Sequence, residues 1–172
     1  MNLILETERL ILRPLELLDA EGMFLLDSNP NVHLYLGNRP VKSIEESIAY
    51  IENIQNQYKK NGIGRFAVIS KETNEFIGWC GIKFITEEEN NHINFYEIGY
   101  RFREEFWGKG FAYESAKAWY DFAFNKLKVD VLYASAHIDN LGSRRILEKI
   151  GLKLKNEYVW NNEISCVWYA SN

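Results

Sequence analysis

A short glycine-containing loop holds the residues whose types and spacing point most clearly to chemistry. Trp107 to Ala112 reads Trp-Gly-Lys-Gly-Phe-Ala and joins a predicted strand to a predicted helix. The unpaired amides and positive dipole end of a helix N-terminus attract anions. Gly108 and Gly110 have no Cβ, so a diphosphate could approach the main chain closely, and Lys109 adds a positive charge. The loop predicts a phosphate site, although two glycines could equally form a simple strand-to-helix turn.

A second polar group follows about thirty residues later, at another predicted strand-to-helix junction. Asn140 can cap the helix that begins at Leu141, and Ser143 lies one turn further on a similar face. An Asn before a helix is ordinarily only a cap, so this pair alone does not define a site. The sequence contains neither a Walker A motif nor a dinucleotide-binding G-x-G-x-x-G unit, which excludes those two modes of nucleotide binding.

Composition narrows the class of protein and its partners. The 172 residues, 47% hydrophobic and 26% charged, predict one globular domain over 1–172. A formal charge of −4 disfavours nucleic acid and fits a cationic small molecule or a peptide amine somewhat better. No apolar run reaches the roughly 20 residues that cross a bilayer, and residues 1–8 lack a basic leader region. Two cysteines and three histidines without metal-ligand spacing predict a reduced, cytoplasmic protein without a metal or membrane partner.

The elements that must position these groups mix strands and helices in an irregular order. Hydrophobic periodicity and turn residues predict a mixed sheet with helices packed on it, an α/β (α+β) arrangement. Predicted strands cover 3–5, 10–12, 66–69, 76–85, 93–102, 131–138, 158–160 and 165–169. Predicted helices follow Asp19, run from a Ser43–Glu46 capping box to Asn61, and cover 112–124 and 141–150, the last ended by Gly151.

Four segments follow one another at the spacing of a known family. They are Leu5–Leu15 (Leu-Glu-Thr-Glu-Arg-Leu-Ile-Leu-Arg-Pro-Leu), Glu97–Tyr100, Trp107–Glu114, and Asn140–Ser143 continuing to Leu152. They resemble, in order, the first strand, central strand, pyrophosphate loop and last motif of the GCN5-related N-acetyltransferase (GNAT) superfamily, within its branch of ribosomal-protein N-terminal acetyltransferases. The resemblance spans nearly the whole chain.

The resemblance implies acetyl-CoA as cosubstrate and the acyl-CoA N-acyltransferase fold. In that fold the sheet is mostly antiparallel, and two parallel strands, here 93–102 and 131–138, splay apart around the pantetheine arm. The resemblance further implies that main-chain groups of the first strand pair with pantetheine and that loop amides bind the pyrophosphate. The cofactor-binding residues would be Ile98, Gly99, Tyr100, Phe102, Trp107, Gly108, Lys109, Gly110, Phe111, Ala112, Asn140 and Ser143.

Amine acetylation needs a proton acceptor, because an alkyl ammonium must lose a proton before it can attack a thioester. Glu97, on the strand beside the expected thioester, is the candidate base, directly or through water; it could equally be a structural partner of Arg101 or of a neighbouring strand. Many members of the family carry a tyrosine acid where Leu147 stands here. Ser143 is the nearest replacement as proton donor to the leaving thiolate.

The leading function is therefore acetyl transfer from acetyl-CoA to a primary amine, by direct attack in a ternary complex. The acceptor is a protein N-terminal α-amine or a small-molecule amine, contacted by segments 29–40 and 158–163. The alternatives are a non-catalytic acyl-CoA-binding sensor or interaction module, and a binder of a different nucleotide. A monomer and a homodimer are both compatible with the sequence.

Overall fold

The structure is a computed structural model that describes residues 3–172, and an eight-stranded sheet lies at its centre. The strands are β1 (Leu5–Glu6), β2 (Leu10–Pro14), β3 (Arg65–Ser70), β4 (Phe76–Ile85), β5 (Phe95–Phe102), β6 (Leu132–His137), β7 (Lys153–Trp160) and β8 (Ile164–Ala170). The helices are α1 (Ala20–Asp27), α2 (Ile44–Asn61), α3 (Phe111–Phe122) and α4 (Leu141–Ile150). In space the strands follow the order β1-β2-β3-β4-β5-β6-β8-β7, and within residues 3–172 every neighbouring pair except β5–β6 is antiparallel. The predicted mixed, mostly antiparallel sheet flanked by helices is confirmed.

The sheet is covered by helices on both faces, which explains why every residue of β3 is buried. On one face, Phe66 of β3 meets the fully buried Trp119 of α3 edge-on, with ring centroids 4.8 Å apart. On the other face, Arg101 of β5 forms an ion pair with Asp27 at the end of α1. The candidate site therefore lies in a sheet that is held rigid from both sides.

The parallel strands β5 and β6 pair over only a short distance. Tyr96 lies opposite Leu132 and Glu97 opposite Tyr133, and no later residue of β5 has a partner in β6 within the described chain. The two strands run parallel at first and then separate. This confirms the predicted splay and leaves one edge of β5 without a partner strand beyond Glu97.

Most element boundaries agree closely with the sequence prediction, but β7 begins at Lys153, five residues before the predicted strand 158–160, and two helix caps differ. The helix over 141–150 has the predicted bounds, and Gly151 ends it in the left-handed region with φ 114°. Asp19 precedes α1, yet its carboxylate accepts two hydrogen bonds from Arg13 rather than capping the helix. The side chain of Glu46 accepts a hydrogen bond from the amide of Lys42 and not from that of Ser43, so the predicted Ser43–Glu46 capping box is wrong.

A glycine in the middle of β4 is required by the close approach of a neighbouring backbone. A Cβ on Gly81 would lie 2.5 Å from the carbonyl oxygen of Gly64. We expect Gly81→Ala to lower the free energy of unfolding by about 1–3 kcal/mol, the usual cost of overpacking. Gly142→Ala is the control, because the nearest atom to its Cβ is Asn140 Oδ1 at 3.8 Å. Urea unfolding measures both variants, and equal stability of Gly81→Ala and wild type would contradict the packing described.

Candidate active site

The N-terminus of α3 presents a run of backbone amides that is free to bind an anion. Gly108 and Gly110 both have left-handed backbones, with φ 71° and 83°, and no side chain caps the helix. From Gly108 to Tyr113, the amides donate to no acceptor among residues 3–172; the first helical hydrogen bond is from Glu114 N to Gly110 O, at 3.0 Å. Open amides at a helix N-terminus are suited to a phosphate or diphosphate.

Trp107 fixes the start of this loop through both of its nitrogen atoms. Its amide donates to Glu104 O at 3.0 Å and its indole Nε1 donates to Phe102 O, at the end of β5, at 2.7 Å. The Trp107 amide was predicted to belong to the phosphate loop, but it is already hydrogen bonded. The free run therefore starts at Gly108, and the exposed Lys109 adds a cation beside it.

Glu114, which the sequence analysis did not single out, ties the first turn of α3 to the start of the sheet. Its carboxylate accepts hydrogen bonds from Thr7 Oγ1 at 2.6 Å, from the Arg9 amide at 2.9 Å and from Arg9 Nε at 2.7 Å. Arg9 Nη1 also donates to Lys109 O at 3.0 Å, and its guanidinium lies 4.4 Å from the centroid of the Phe111 ring. The loop is thus clamped on its outer side.

The clamp changes the titration of Glu114. Partial burial acts to raise the pKa of the carboxyl, but the hydrogen bonds from Thr7 and Arg9 outweigh it and the net pKa lies below the usual value. The folded protein therefore favours the ionised form of Glu114.

The free edge of β5 exposes main-chain groups at the separation from β6. Just beyond β5, the Arg103 amide donates to Ile77 O of β4 at 3.0 Å. Because main-chain groups alternate in direction along a strand, those of Ile98 and Tyr100 face the side from which β6 has separated. These are two of the residues predicted to pair with pantetheine, and their geometry leaves those groups accessible.

Gly99 lies between these two residues and has a different role, because a buried arginine packs against it. A Cβ on Gly99 would lie 2.7 Å from Arg65 Nη2. Arg65 Nη2 forms a 2.6 Å ion pair with Glu97 Oε2, and Nη1 donates to Gly81 O and Glu97 O at 2.6 and 2.9 Å. Glu97 is therefore the structural partner of Arg65 of β3, and Arg101 is occupied by Asp27. Glu97 is nevertheless the last residue of β5 that pairs with β6, so its carboxylate lies where these two strands separate.

The second carboxylate oxygen of Glu97 remains turned to a hydroxyl group. Ser135 Oγ of β6 lies 3.4 Å from Glu97 Oε1. The Glu97 side chain is 15% exposed and that of Arg65 only 8%. The candidate base is therefore paired with a buried cation through Oε2, while Oε1 accepts a hydrogen bond from Ser135.

Asn140 and Ser143 lie on the opposite face of the sheet, at the start of α4. Asn140 Oδ1 accepts from the Ser143 amide at 3.1 Å, so Asn140 is indeed a helix cap. Tyr100 Oη lies 3.0 Å from Ser143 Oγ and 2.9 Å from Ser143 O. Burial raises the pKa of Tyr100 well above its ordinary value, so the phenol stays protonated. Leu147, which stands where many family members carry a tyrosine acid, is buried in the core. The phenol that contacts Ser143 is that of Tyr100.

The two segments predicted to contact the acceptor come together at one end of the sheet. Arg39, in the loop between α1 and α2, forms an exposed 3.1 Å ion pair with Glu163 in the turn of the final hairpin. In the same loop, Tyr35 packs against His137 at the end of β6, with ring centroids 5.2 Å apart. The structure thus brings residues of the two segments together, and their contact with an acceptor stays a prediction.

Beneath this loop lies a buried cluster of charged groups. Asp27 Oδ1 accepts from Arg101 Nη1 at 2.6 Å and lies 3.3 Å from His33 Nε2. Burial, assisted by the nearby Arg101, lowers the pKa of His33.

Neither a metal site nor a membrane span is found in the part of the chain that the structure describes. Among residues 3–172 no group of three His, Cys, Asp or Glu side chains is arranged to hold a metal ion. Over the same residues, no helix has both the length and the hydrophobicity of a membrane span.

Comparisons with known proteins match both the sequence and the fold. Residues 9–153 match the family described as an acetyltransferase (GNAT) domain. The uncharacterised N-acetyltransferase p20 of Bacillus licheniformis is 34% identical over 149 residues, which cover 87% of this chain and 82% of p20. A GNAT-family acetyltransferase structure from Bacillus anthracis has a TM-score of 0.81 at 25% identity, covering 98% of this chain and 97% of that one. RimL, a ribosomal L7/L12 α-N-protein acetyltransferase solved with coenzyme A, has a TM-score of 0.80 at 18% identity, covering 98% and 97%.

The depressed pKa of Glu114 predicts a pH-dependent stabilisation. Because the ionised form is favoured in the folded state, the contribution is complete above the unfolded pKa and is lost as the pH falls through the folded pKa. We expect Glu114→Gln to be less stable than wild type by about 1 kcal/mol near neutral pH, a modest value because Arg9 is partly exposed. The difference should shrink on acidification below the ordinary carboxyl pKa of 4.5.

Urea unfolding at about pH 7 and about pH 3.5 measures this dependence. Glu8→Gln is the matched control, because Glu8 is exposed and lies between Thr7 and Arg9, the two residues that bind Glu114. A stability difference between Glu114→Gln and wild type that is the same at both pH values would contradict the described clamp.

Proposed function

Because this chain belongs to the GNAT acetyltransferase family, we propose that it transfers an acetyl group from acetyl-CoA to a primary amine. The amine attacks directly, in a complex that contains both substrates. The observation that carries the proposal is the combination of a strand pair that parts after Glu97 with an open run of amides at the N-terminus of α3. Together they fit a long cofactor with a diphosphate at one end and an amide-containing arm.

The residues present are suited to hold acetyl-CoA, which supplies the reactive thioester. The amides from Gly108 to Ala112, aided by Lys109, bind its diphosphate. Main-chain groups of Ile98 and Tyr100 pair with its amides at the free edge of β5. Asn140 uses Oδ1 for the helix cap, which leaves its Nδ2 as a donor toward the acyl end.

Glu97 and Ser143 take the two polar roles around the thioester. Glu97 is positioned by its ion pair with Arg65 and attracts the ammonium form of the acceptor to the point where the strands separate. Ser143, hydrogen bonded to Tyr100, donates a proton to the departing thiolate. The thiolate is only weakly basic, with a pKa near 8.5 for a cysteine-like thiol, so a hydroxyl donor suffices.

The acceptor remains one of two classes of amine. RimL acts on a protein α-amine, and the shared fold supports a protein N-terminus as acceptor here. The carboxylate of Glu97, at the point where the strands separate, favours a cation, which also fits a small amine. Release of the CoA thiol from acetyl-CoA, measured over a panel of free-amine peptides and polyamines, distinguishes these classes.

Removal of the proposed proton donor tests the catalytic assignment. We expect Ser143→Ala to lower kcat about tenfold, at the low end for general acid catalysis because the leaving thiolate is weakly basic. The dissociation constant for acetyl-CoA should change little, because main-chain groups supply most of the binding. Ser165→Ala, on the exposed side of β8, is the control and should retain full activity.

A protein that binds acetyl-CoA yet acetylates no amine in the panel would be the non-catalytic binding module instead. Turnover of Ser143→Ala at the wild-type rate would show that another group protonates the thiolate.

A further inference from the structure

A second glutamate, Glu89, lies in the loop between β4 and β5, beside the final hairpin of β7 and β8. Glu89 follows β4 and pairs with His92 in an isolated β-bridge, with reciprocal amide-to-carbonyl hydrogen bonds of 2.9 and 2.8 Å. The bridge fixes the backbone of the turn. Glu89 is half-buried, whereas its neighbours Glu87 and Glu88 are exposed.

Glu89 is bound by a tyrosine that projects from the final hairpin. The hydroxyl of Tyr158 donates to Glu89 Oε1. The Tyr158 ring packs edge-on against Trp168, with centroids 5.6 Å apart, and Trp168 also contacts His92 at 5.2 Å and Tyr133 at 5.4 Å. The Glu89 carboxylate therefore lies beside a cluster of aromatic rings, which limits its access to water.

The strand register brings this pair to the same face as Glu97. Glu97 pairs with Tyr133, and two residues later on β6 Ser135 lies on the same face, with its Oγ 3.4 Å from Glu97 Oε1. Ser135 is also close enough to Tyr158 for its hydroxyl to act on the tyrosine pKa. Polar side chains thus follow one another on this face, with hydrogen bonds from Ser135 to Glu97 and from Tyr158 to Glu89.

The two glutamates at the ends of this line differ in their charge partners. Glu97 is paired with the buried Arg65, whereas Glu89 forms no ion pair with any residue in 3–172. Burial raises the pKa of Glu89 above its ordinary value; the nearby Glu97 acts in the same direction, and the Tyr158 hydrogen bond and Lys83 act against it. Cys166 of β8, which lies opposite Tyr158 of β7, stays a neutral thiol, because burial raises its pKa to about 11. Glu89 is therefore a carboxylate without an ion-pair partner in residues 3–172, and its surroundings favour the protonated form.

We propose that Glu89 is the terminal proton acceptor for the attacking amine, reached through the hydroxyls of Ser135 and Tyr158. This inference rests on the acetyl transfer proposed above. The ammonium group, held by the Glu97 anion, gives its proton to Ser135 Oγ while the Ser135 proton moves to Tyr158 Oη and the Tyr158 proton moves to Glu89. The neutral amine forms its bond to the acetyl carbon, the carbon–sulfur bond breaks, and the Glu89 carboxylic acid later releases its proton to water.

The decisive variant is Glu89→Gln, which keeps the shape of the side chain but cannot accept the proton. The probes are spermidine and a hexapeptide with a free N-terminal alanine, and kcat/KM is measured from about pH 6 to about pH 9.5 for each. Near pH 6.5 we expect kcat/KM to fall about 100-fold, within the range of general base catalysis. For the peptide the loss should shrink above about pH 8, where its α-amine is already neutral; for spermidine it should persist.

Two further variants separate proton transfer from structure. Tyr158→Phe keeps the ring against Trp168 and removes only the hydroxyl, so kcat/KM should fall about tenfold. Glu88→Gln is the matched control on the same turn and should behave as wild type. Calorimetry with acetyl-CoA should give the same dissociation constant for all four proteins.

Each outcome of this experiment supports or overturns the inference. A wild-type pH profile and rate for Glu89→Gln, in a wild-type background that acetylates either probe, would overturn the role of Glu89 and leave the acetyltransferase function intact. A loss of acetyl-CoA affinity equal to the loss of rate would show that Glu89 is only structural. Wild-type protein that acetylates neither probe and binds no acetyl-CoA would overturn the proposed function itself, and this inference with it.

Discussion

The separation of β5 from β6 after Glu97 is the constraint on which the rest of the structure depends. Buried main-chain groups need partners, and two strands that pair over only two residues leave the edge of β5 without any from β6 beyond that point. The edge of β5 instead faces a gap, and the strand leads into a loop whose amides from Gly108 onward are also unpaired within residues 3–172. A ligand with amides along its arm and a diphosphate at its end satisfies both sets of groups at once.

Ion pairs from the N-terminal part of the sheet hold this open region in shape. Arg65 reaches across β4 to Glu97 and lies against Gly99, where a side chain would displace it. On the other side, Arg9 and Thr7 hold Glu114 in the first turn of α3. A buried pair such as Arg65–Glu97 gains little stability after desolvation, and its value lies in fixing the carboxylate at the parting point. The two clamps explain how a gap can persist inside a sheet.

Much of the fold could be predicted from the sequence because local signals and pattern agreed. Gly151 ends α4 at the expected residue, and the paired glycines at 108 and 110 indicate the open loop. The long-range partners could not be predicted in this way. Nothing local to Glu97 indicates Arg65, which lies thirty-two residues earlier, and nothing in the acidic turn 87–89 distinguishes the half-buried Glu89 from its exposed neighbours. Those pairings follow from strand register, which periodicity does not determine between distant strands.

The central claim is that the open amides at the start of α3 bind the diphosphate of acetyl-CoA. It is tested most directly by following the backbone amide resonances of Gly108 to Tyr113 by NMR while acetyl-CoA is added. We expect these amides to shift together toward hydrogen-bonded values and to become protected from exchange, with Ile98 and Tyr100 following at the edge of β5. Saturation with acetyl-CoA that leaves the resonances of residues 108–113 unchanged would contradict it.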